Sequence, residues 1–177
     1  KIGSLQLRMS DYDQAVITFK SILKNYPQSN LLADTFYSLG TAYFQKADYA
    51  GSLEIFSKFQ NEFKDTHLRP QAFYMLGNSL LNLGKTNEAL SIFKEILKLY
   101  PQDIELRQKA EYEIADCYYK LGREDEALKQ FKLLRTKYPD SRLVPDIIWW
   151  LGQYYYRSND LTLARRYFSS LTNDFPN

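Results

Sequence analysis

Catalysis and metal binding need histidine, cysteine or grouped carboxylates, and this sequence offers little of each. His67 is the only histidine and Cys117 the only cysteine. A metal would therefore need carboxylates beside one of them, and they stand in different segments. His67 follows Thr66 at a predicted helix start, where a lone histidine is solvated. Cys117 falls at a position that elsewhere holds small packing residues, so it reads as a buried, inert thiol. The glycines Gly40, Gly77 and Gly152 are far apart and build no phosphate-cradling loop. The run Arg123–Ala127 (REDEA) is an acidic first turn, with carboxylates favoured by the positive helix end. Arg165 and Arg166 form a short basic pair on an exposed helix face, too small for a nucleic-acid footprint. No catalytic, cofactor-binding or metal-ligating residue is expected.

What the chain does have in excess is rings. Aromatic residues make up 16% of 177 residues, and five of them crowd into IIWWLGQYYYR, Ile147 to Arg157. Apolar residues at 45% and charged residues at 25% suit a folded soluble protein. Seven glycines and six prolines are few for an all-β chain. Net charge is +2, without the clustered basic excess of nucleic-acid binders. No apolar run approaches the ~18 residues of a membrane span. One cysteine permits no internal disulfide, which fits a reducing compartment or a disulfide-free periplasmic protein. Lys1 in first place reads as the start of an excised fragment, so a missing targeting segment says little.

The rings belong to a repeat. DYDQAVITFKSILKNYP, KTNEALSIFKEILKLYP, REDEALKQFKLLRTKYP and DLTLARRYFSSLTNDFP align, with DYAGSLEIFSKFQNEFK as a weaker copy. In each, a small residue (Ala15, Ser52, Ala89, Ala127, Ala164) precedes a phenylalanine four places on (Phe19, Phe56, Phe93, Phe131, Phe168). Successive copies lie 37, 37, 38 and 37 residues apart, a regularity that outranks any local reading. Upstream stretches repeat too: FYSLGTAYF, FYMLGNSLL, EYEIADCYY and IWWLGQYYY. Each has a small residue (Gly40, Gly77, Ala115, Gly152) and a large one three places later (Tyr43, Leu80, Tyr118, Tyr155). Apolar residues recur at three- and four-residue steps, the helical period. Each repeat is thus predicted to be a helix, a turn marked by Asp48, Gly84 or Gly122, and a second helix stopped by proline. Ser29, Thr66, Asp103 and Ser141 are candidate caps for the following first helix. Pro70 and Pro145 are expected in first turns.

This pattern resembles the tetratricopeptide repeat family, best in Phe73, Leu76, Gly77, Ala89, Phe93 and Pro101. The resemblance implies an all-α, right-handed α-α superhelix of about five helix-turn-helix repeats. Its boundaries are approximately 1–28 (truncated), 29–65, 66–102, 103–140 and 141–177, one array across 1–177. The period exceeds the family's usual 34, and the surplus is expected to lengthen each first helix by about one turn. The second copy has Lys64 in place of proline and carries Gly51, and is expected to be the least regular. The linkers YPQSNLLA (Tyr26–Ala33) and YPDSRLVP (Tyr138–Pro145) resemble the family's bacterial envelope branch. That branch includes the Tol-Pal-associated periplasmic repeat protein and the outer-membrane assembly lipoprotein. It implies a bacterial periplasmic or envelope location.

At about 100° per residue, Trp149, Gln153, Tyr156 and Arg157 form one stripe of their helix. Ile148, Leu151, Gly152 and Tyr155 form another. In the family, the second stripe packs on the partner helix and the first lines the concave face. The equivalent first-stripe residues are Tyr37, Thr41, Phe44 and Gln45; Tyr74, Asn78, Leu81 and Asn82; and Tyr112, Asp116, Tyr119 and Lys120. Tyr155 is expected in the core, and Trp149 and Tyr156 either line a groove or pad the contact between helices. Trp150 and Tyr154 stay undecided. Small residues (Ala42, Ser79, Cys117, Ala72, Ala110) mark a third face where helices approach closely, a rule that Ile147 and Tyr154 break.

Rings alternating with polar groups suit recognition of an extended or helical segment of a protein partner. Repeat arrays use such surfaces for that purpose. The chaperone-tail clamp of one family variant is not expected, because tyrosines stand where its lysines would be, although Asn78 matches. Two other functions fit the same pattern. Rings beside polar groups could bind a glycan or cell-wall polysaccharide. Exposed array ends could drive self-assembly. No cofactor, nucleic acid or direct membrane insertion is expected.

Overall fold

Three- and four-residue apolar spacing becomes helix throughout the computed structural model, which describes residues 1–175. Those residues form ten α-helices and no strand: α1 (Ile2–Arg8), α2 (Tyr12–Asn25), α3 (Leu32–Gln45), α4 (Tyr49–Glu62), α5 (Arg69–Asn82), α6 (Thr86–Leu99), α7 (Ile104–Lys120), α8 (Glu124–Lys137), α9 (Val144–Arg157) and α10 (Leu161–Asp174). They fall into two compact units, Lys1–Ile96 and Leu97–Asn177. In the first, α1 packs on α2, α2 on α3, α3 on α4 and α4 on α5. In the second, α7 packs on α8, α8 on α9 and α9 on α10.

Inside each helix pair, a phenylalanine of the second helix lies on the backbone of the first. A Cβ added to Gly3 would sit 2.7 Å from the Phe19 ring, and one on Gly40 2.8 Å from Phe56. The distances are 2.6 Å for Gly77 on Phe93 and 2.5 Å for Gly152 on Phe168. The glycine is thus a socket for the ring. Phe56, Phe93 and Phe131 are completely buried, each worth about 1.5–3 kcal/mol in removed apolar surface. The α7–α8 pair differs, with Ala115 in the socket position. There Phe131 tilts against Trp150 of α9, ring centres 4.4 Å apart.

The turn inside each pair needs one left-handed residue followed by a helix start. Gly84 and Gly122 supply it at φ 73°. Ser10, Ala47 and Asn159 take the same conformation at φ 60–63°, which costs a residue with a Cβ about 1–2 kcal/mol. Each of those three is followed by a capping aspartate. Asp11, Asp48 and Asp160 accept from the backbone N–H groups of Gln14, Gly51 and Leu163. The glycine turns continue into Lys85 and Arg123, which bring no such acceptor, and Arg123 makes no cap. A turn therefore has either the permissive residue or the cap.

Three expectations about helix ends change. Ser29, Thr66 and Ser141 do not cap helices; their hydroxyls accept from Leu31, Leu68 and Leu143 two residues on, closing a small turn ahead of the helix. That turn absorbs the surplus residues, so α3, α5 and α9 are 14 residues long, like the second helices. Only α7 is longer, at 17 residues. Asp103 caps it through the Leu106 N–H at 3.0 Å, and the one 38-residue spacing of the sequence falls here. The second copy is not irregular. Its α4 has the length of α2, and its end residue Phe63 adopts nearly the backbone of Tyr26 without a following proline. Gly51 lies in the first turn, where the Asp48 carboxylate holds its N–H at 2.9 Å. Pro70 and Pro145 sit in first turns, where the missing N–H costs little. His67 is exposed and precedes α5 rather than starting it.

Within the first unit, small residues mark the close junctions between successive pairs: Ala42, Ala72 and Ser79 are completely buried. Ala110 and Cys117 of α7 are completely buried as well. At the α4–α5 junction, buried Ser52 and Ser79 share a hydrogen bond of 2.9 Å, and Ser79 also donates to the Met75 carbonyl. Tyr154, at the Ser79 position of α9, instead stacks on Trp150 at 5.5 Å and 17°. Ile147, at the Ala72 position, is buried. The rule broken in the last copy thus yields a junction filled by rings.

Two substitutions test these contacts. Gly77→Ala should destabilise the protein by about 1–3 kcal/mol in urea unfolding, although alanine is the better helix former by about 1 kcal/mol. Ala47→Gly should stabilise it by about 1 kcal/mol, because the left-handed penalty disappears.

Candidate functional site

The first-stripe rings occupy equivalent seats. Tyr37 meets Phe56 edge-on at 5.8 Å, Tyr74 meets Phe93 at 5.9 Å, Tyr112 meets Phe131 at 5.4 Å and Trp149 meets Phe168 at 5.4 Å. Each rests on the phenylalanine that fills its own pair's socket. Padding and presentation are therefore one arrangement: the inner edge of the ring packs and the outer part stays accessible. Tyr37, Tyr74 and Tyr112 are half-buried, whereas Trp149 is 53% and Tyr156 61% exposed. Tyr155, expected in the core, is only partly buried; it stacks on Tyr167 at 5.6 Å and 5°.

In the first unit, the other predicted residues lie beside their rings. Thr41 is half-buried and donates to the Tyr37 carbonyl, so its hydroxyl proton is committed to its own helix. Phe44 meets Tyr49 edge-on at 5.3 Å. Asn78 and Leu81 are half-buried, and Asn82 donates to the Asn78 backbone carbonyl.

The second unit brings residues of successive pairs together. Arg157 of α9 donates to the Tyr119 hydroxyl of α7, and its guanidinium lies 5.0 Å from that ring's centre. Tyr119 in turn meets Trp150 edge-on at 5.6 Å. Lys120 and Asp116 pair at 2.5 Å, so neither presents an isolated charge. Trp149, Gln153 and Tyr156 border a hollow of about 350 Å³, closed by Phe168, Leu171 and Thr172 of α10. The α10 wall leaves no signal in the first-helix stripe, because its residues belong to the second helix of the pair. Trp150 is resolved as packing: it contacts Phe131, Tyr119 and Tyr154.

A second unforeseen cluster centres on Glu111, whose side chain is 13% exposed. It accepts from Lys137 at 2.7 Å and from the Tyr138 hydroxyl at 3.4 Å, with Arg107 at 3.5 Å. It ties α7 to the end of α8. Glu111 stands four residues after Arg107, which is the only sequence trace of it. Among the described residues, no three His, Cys, Asp or Glu side chains gather as a metal would need, and no helix is long and apolar enough to cross a membrane.

Burial raises the pKa of Tyr37. It does the same to Tyr112, where Asp146, Asp116 and Glu113 add to the effect and push it up to about 12.

The YfiO family, described as outer membrane lipoprotein, matches residues 1–151, and a tetratricopeptide repeat family matches 146–177. The chain belongs to the YfiO family. Both the tetratricopeptide resemblance and its envelope branch are borne out. Solved structures agree on the fold. A MamA fragment (41-end) from Desulfovibrio magneticus RS-1 is 19% identical, covering 97% of this chain and 89% of that one, with a TM-score of 0.76. A Podosopora anserina putative kinesin light chain with nearly identical TPR-like repeats is 10% identical, covering 99% and 94%, at 0.78. YrrB, a TPR protein with an unusual peptide-binding site, is 21% identical, covering 99% and 84%, at 0.67. At these identities they establish the all-α repeat fold expected from the sequence and nothing about ligands. No curated protein matches the chain in sequence.

The raised Tyr112 pKa predicts a pH effect. An unfolded tyrosine loses its proton near pH 10, while folded Tyr112 keeps it to about 12. This contribution to stability is complete below pH 10 and is lost as pH rises towards 12. Tyr112→Phe should flatten the fall of the urea midpoint between pH 9 and 11.5 relative to wild type.

Proposed function

We propose that the chain is a non-catalytic scaffold that binds a segment of a partner protein on the ring stripes of its first helices. The observation that carries this is the repeated seat: Tyr37, Tyr74, Tyr112 and Trp149 each pack on the phenylalanine at the same position of their own pair, Phe56, Phe93, Phe131 and Phe168. A ring held that way loses little freedom on binding, and such rings are typical interface anchors. In the first unit the stripe is Tyr37, Thr41, Phe44, Tyr74, Asn78 and Leu81. In the second it is Tyr112, Asp116, Tyr119, Lys120, Trp149, Gln153, Tyr156 and Arg157. The Arg157–Tyr119 contact supports joint use of the second set, because it fixes two members from successive pairs. YrrB, named for a peptide-binding site, lends support by fold alone. Membership of an outer membrane lipoprotein family supports a place in the bacterial envelope.

Photo-crosslinkers at Tyr74 and Tyr156, with one at exposed Glu95 as control, test the surface in envelope extracts. The stripe positions should capture one common protein that Glu95 does not. Titrated against that protein, a folded Tyr112→Ala/Trp149→Ala double variant should lose at least about 30-fold in affinity, as ~2 kcal/mol per anchor allows. Unchanged affinity rejects the stripe.

A further inference from the structure

The first unit has a hollow of about 260 Å³ between its second helices α2 and α4, floored by α3. Lys20 and Leu23 of α2, Tyr43 of α3, and Glu54 and Lys58 of α4 border it. Lys20 lies over the Tyr43 ring, 5.2 Å from its centre. Glu54 feels the Lys20 charge and pairs with Lys58 at 2.8 Å. This place therefore carries its own counter-charge.

The corresponding place in the second unit, over α9 between α8 and α10, has the same plan and different charges. Lys132, like Lys20, directly follows the phenylalanine of its helix, and lies 5.3 Å from the centre of the Tyr155 ring. Tyr155 stacks on Tyr167 of α10. Where α2 has Leu23, α8 has Arg135, whose guanidinium lies 5.3 Å from the centre of Tyr167. Where α4 has Glu54, two residues after its small residue, α10 has Arg166. None of Lys132, Arg135 and Arg166 has an ion-pair partner among the described residues. The carboxylates in line with Lys132 and Tyr167, Asp125 and Asp174, stand seven residues away, about 10 Å along each helix.

Lying over a ring occupies one side of a cation and leaves other N–H groups for a ligand. Lys132 and Arg166 are exposed and Arg135 is half-buried. Leu133, next to Lys132, is exposed as well. Unpaired cations, tyrosines and an aliphatic side chain on one surface suit the headgroup region of a bilayer. Phosphates there neutralise the cations, and tyrosine rings settle at the boundary between water and hydrocarbon. An acidic protein would answer the charge alone. Membership of a family described as outer membrane lipoprotein favours the bilayer.

We propose that the α8–α10 face rests on anionic phospholipid headgroups, with Lys132, Arg135 and Arg166 binding their phosphates and no helix inserted. The contact goes beyond the ring stripes and shares no residue with them.

Sedimentation of the intact chain with vesicles tests this, using phosphatidylcholine and phosphatidylglycerol in equal parts, or phosphatidylcholine alone. The chain should bind only the anionic vesicles, and less as salt rises. Arg135→Leu/Arg166→Glu copies Leu23 and Glu54, side chains that this scaffold already accommodates at those places. It should weaken vesicle binding at least about 30-fold, as about 1 kcal/mol for each of two lost cations allows. Lys24→Gln/Lys64→Glu, the same change of net charge placed in the first unit, should leave binding nearly unchanged. Equal binding to the two kinds of vesicle, or equal losses in the two variants, overturns the proposal. Release by millimolar glycerol phosphate also overturns it, assigning the face to a soluble phosphate. Binding of polyglutamate but not of anionic vesicles overturns it in favour of an acidic protein.

Discussion

The helix pairs depend on one contact, a phenylalanine ring pressed onto a residue without a side chain. Because the ring lies where a Cβ would be, the two helices can approach until aromatic carbon meets backbone. The ring then fills the space between them, and the other contacts of the pair inherit its position. Phe56, Phe93 and Phe131 have no exposed surface, so there is no room to relax around a misplaced atom. Four of five pairs use glycine for the socket. The fifth uses Ala115, and its phenylalanine finds its close partner in Trp150 instead.

The same contact builds the ring stripe. Tyr37, Tyr74, Tyr112 and Trp149 are held by the phenylalanines that occupy the sockets, so surface presentation is coupled to core packing. A substitution in the socket would shift the stripe ring through the phenylalanine that both contact. The stripe also carries fewer free charges than its composition suggests. Asp116 and Lys120 neutralise each other, and Arg157 is committed to Tyr119. What faces outward is chiefly ring surface with half-buried amides.

Much of this was legible in the sequence. The phenylalanine and glycine spacings define the helix pairs, because the socket tolerates almost no other residue. The left-handed turn residue was legible at Gly84 and Gly122, and hidden at Ser10, Ala47 and Asn159, where a neighbouring aspartate offsets the strain. Helix starts were misread because serine and threonine serve both caps and small turns; only the extra residue after Pro101 separates the true cap, Asp103, from Ser29, Thr66 and Ser141. The α10 wall beside Trp149 and the Glu111 cluster were hidden for another reason. Both join residues on different helices, whose distances depend on how the pairs stack and leave no trace in local spacing.

The hydroxyl pair of Ser52 and Ser79 gives the repeats an order. The buried contacts of the α2–α3 and α8–α9 junctions are apolar or aromatic, and such groups accept many neighbours of similar size. A helix carrying Ser79, moved to another junction, would lose its Ser52 partner. Its hydroxyl would keep only the bond to its own helix. The α4–α5 seam is therefore keyed. Duplication or shuffling of these units, in evolution or by design, would have to keep the two pairs together or replace both serines at once.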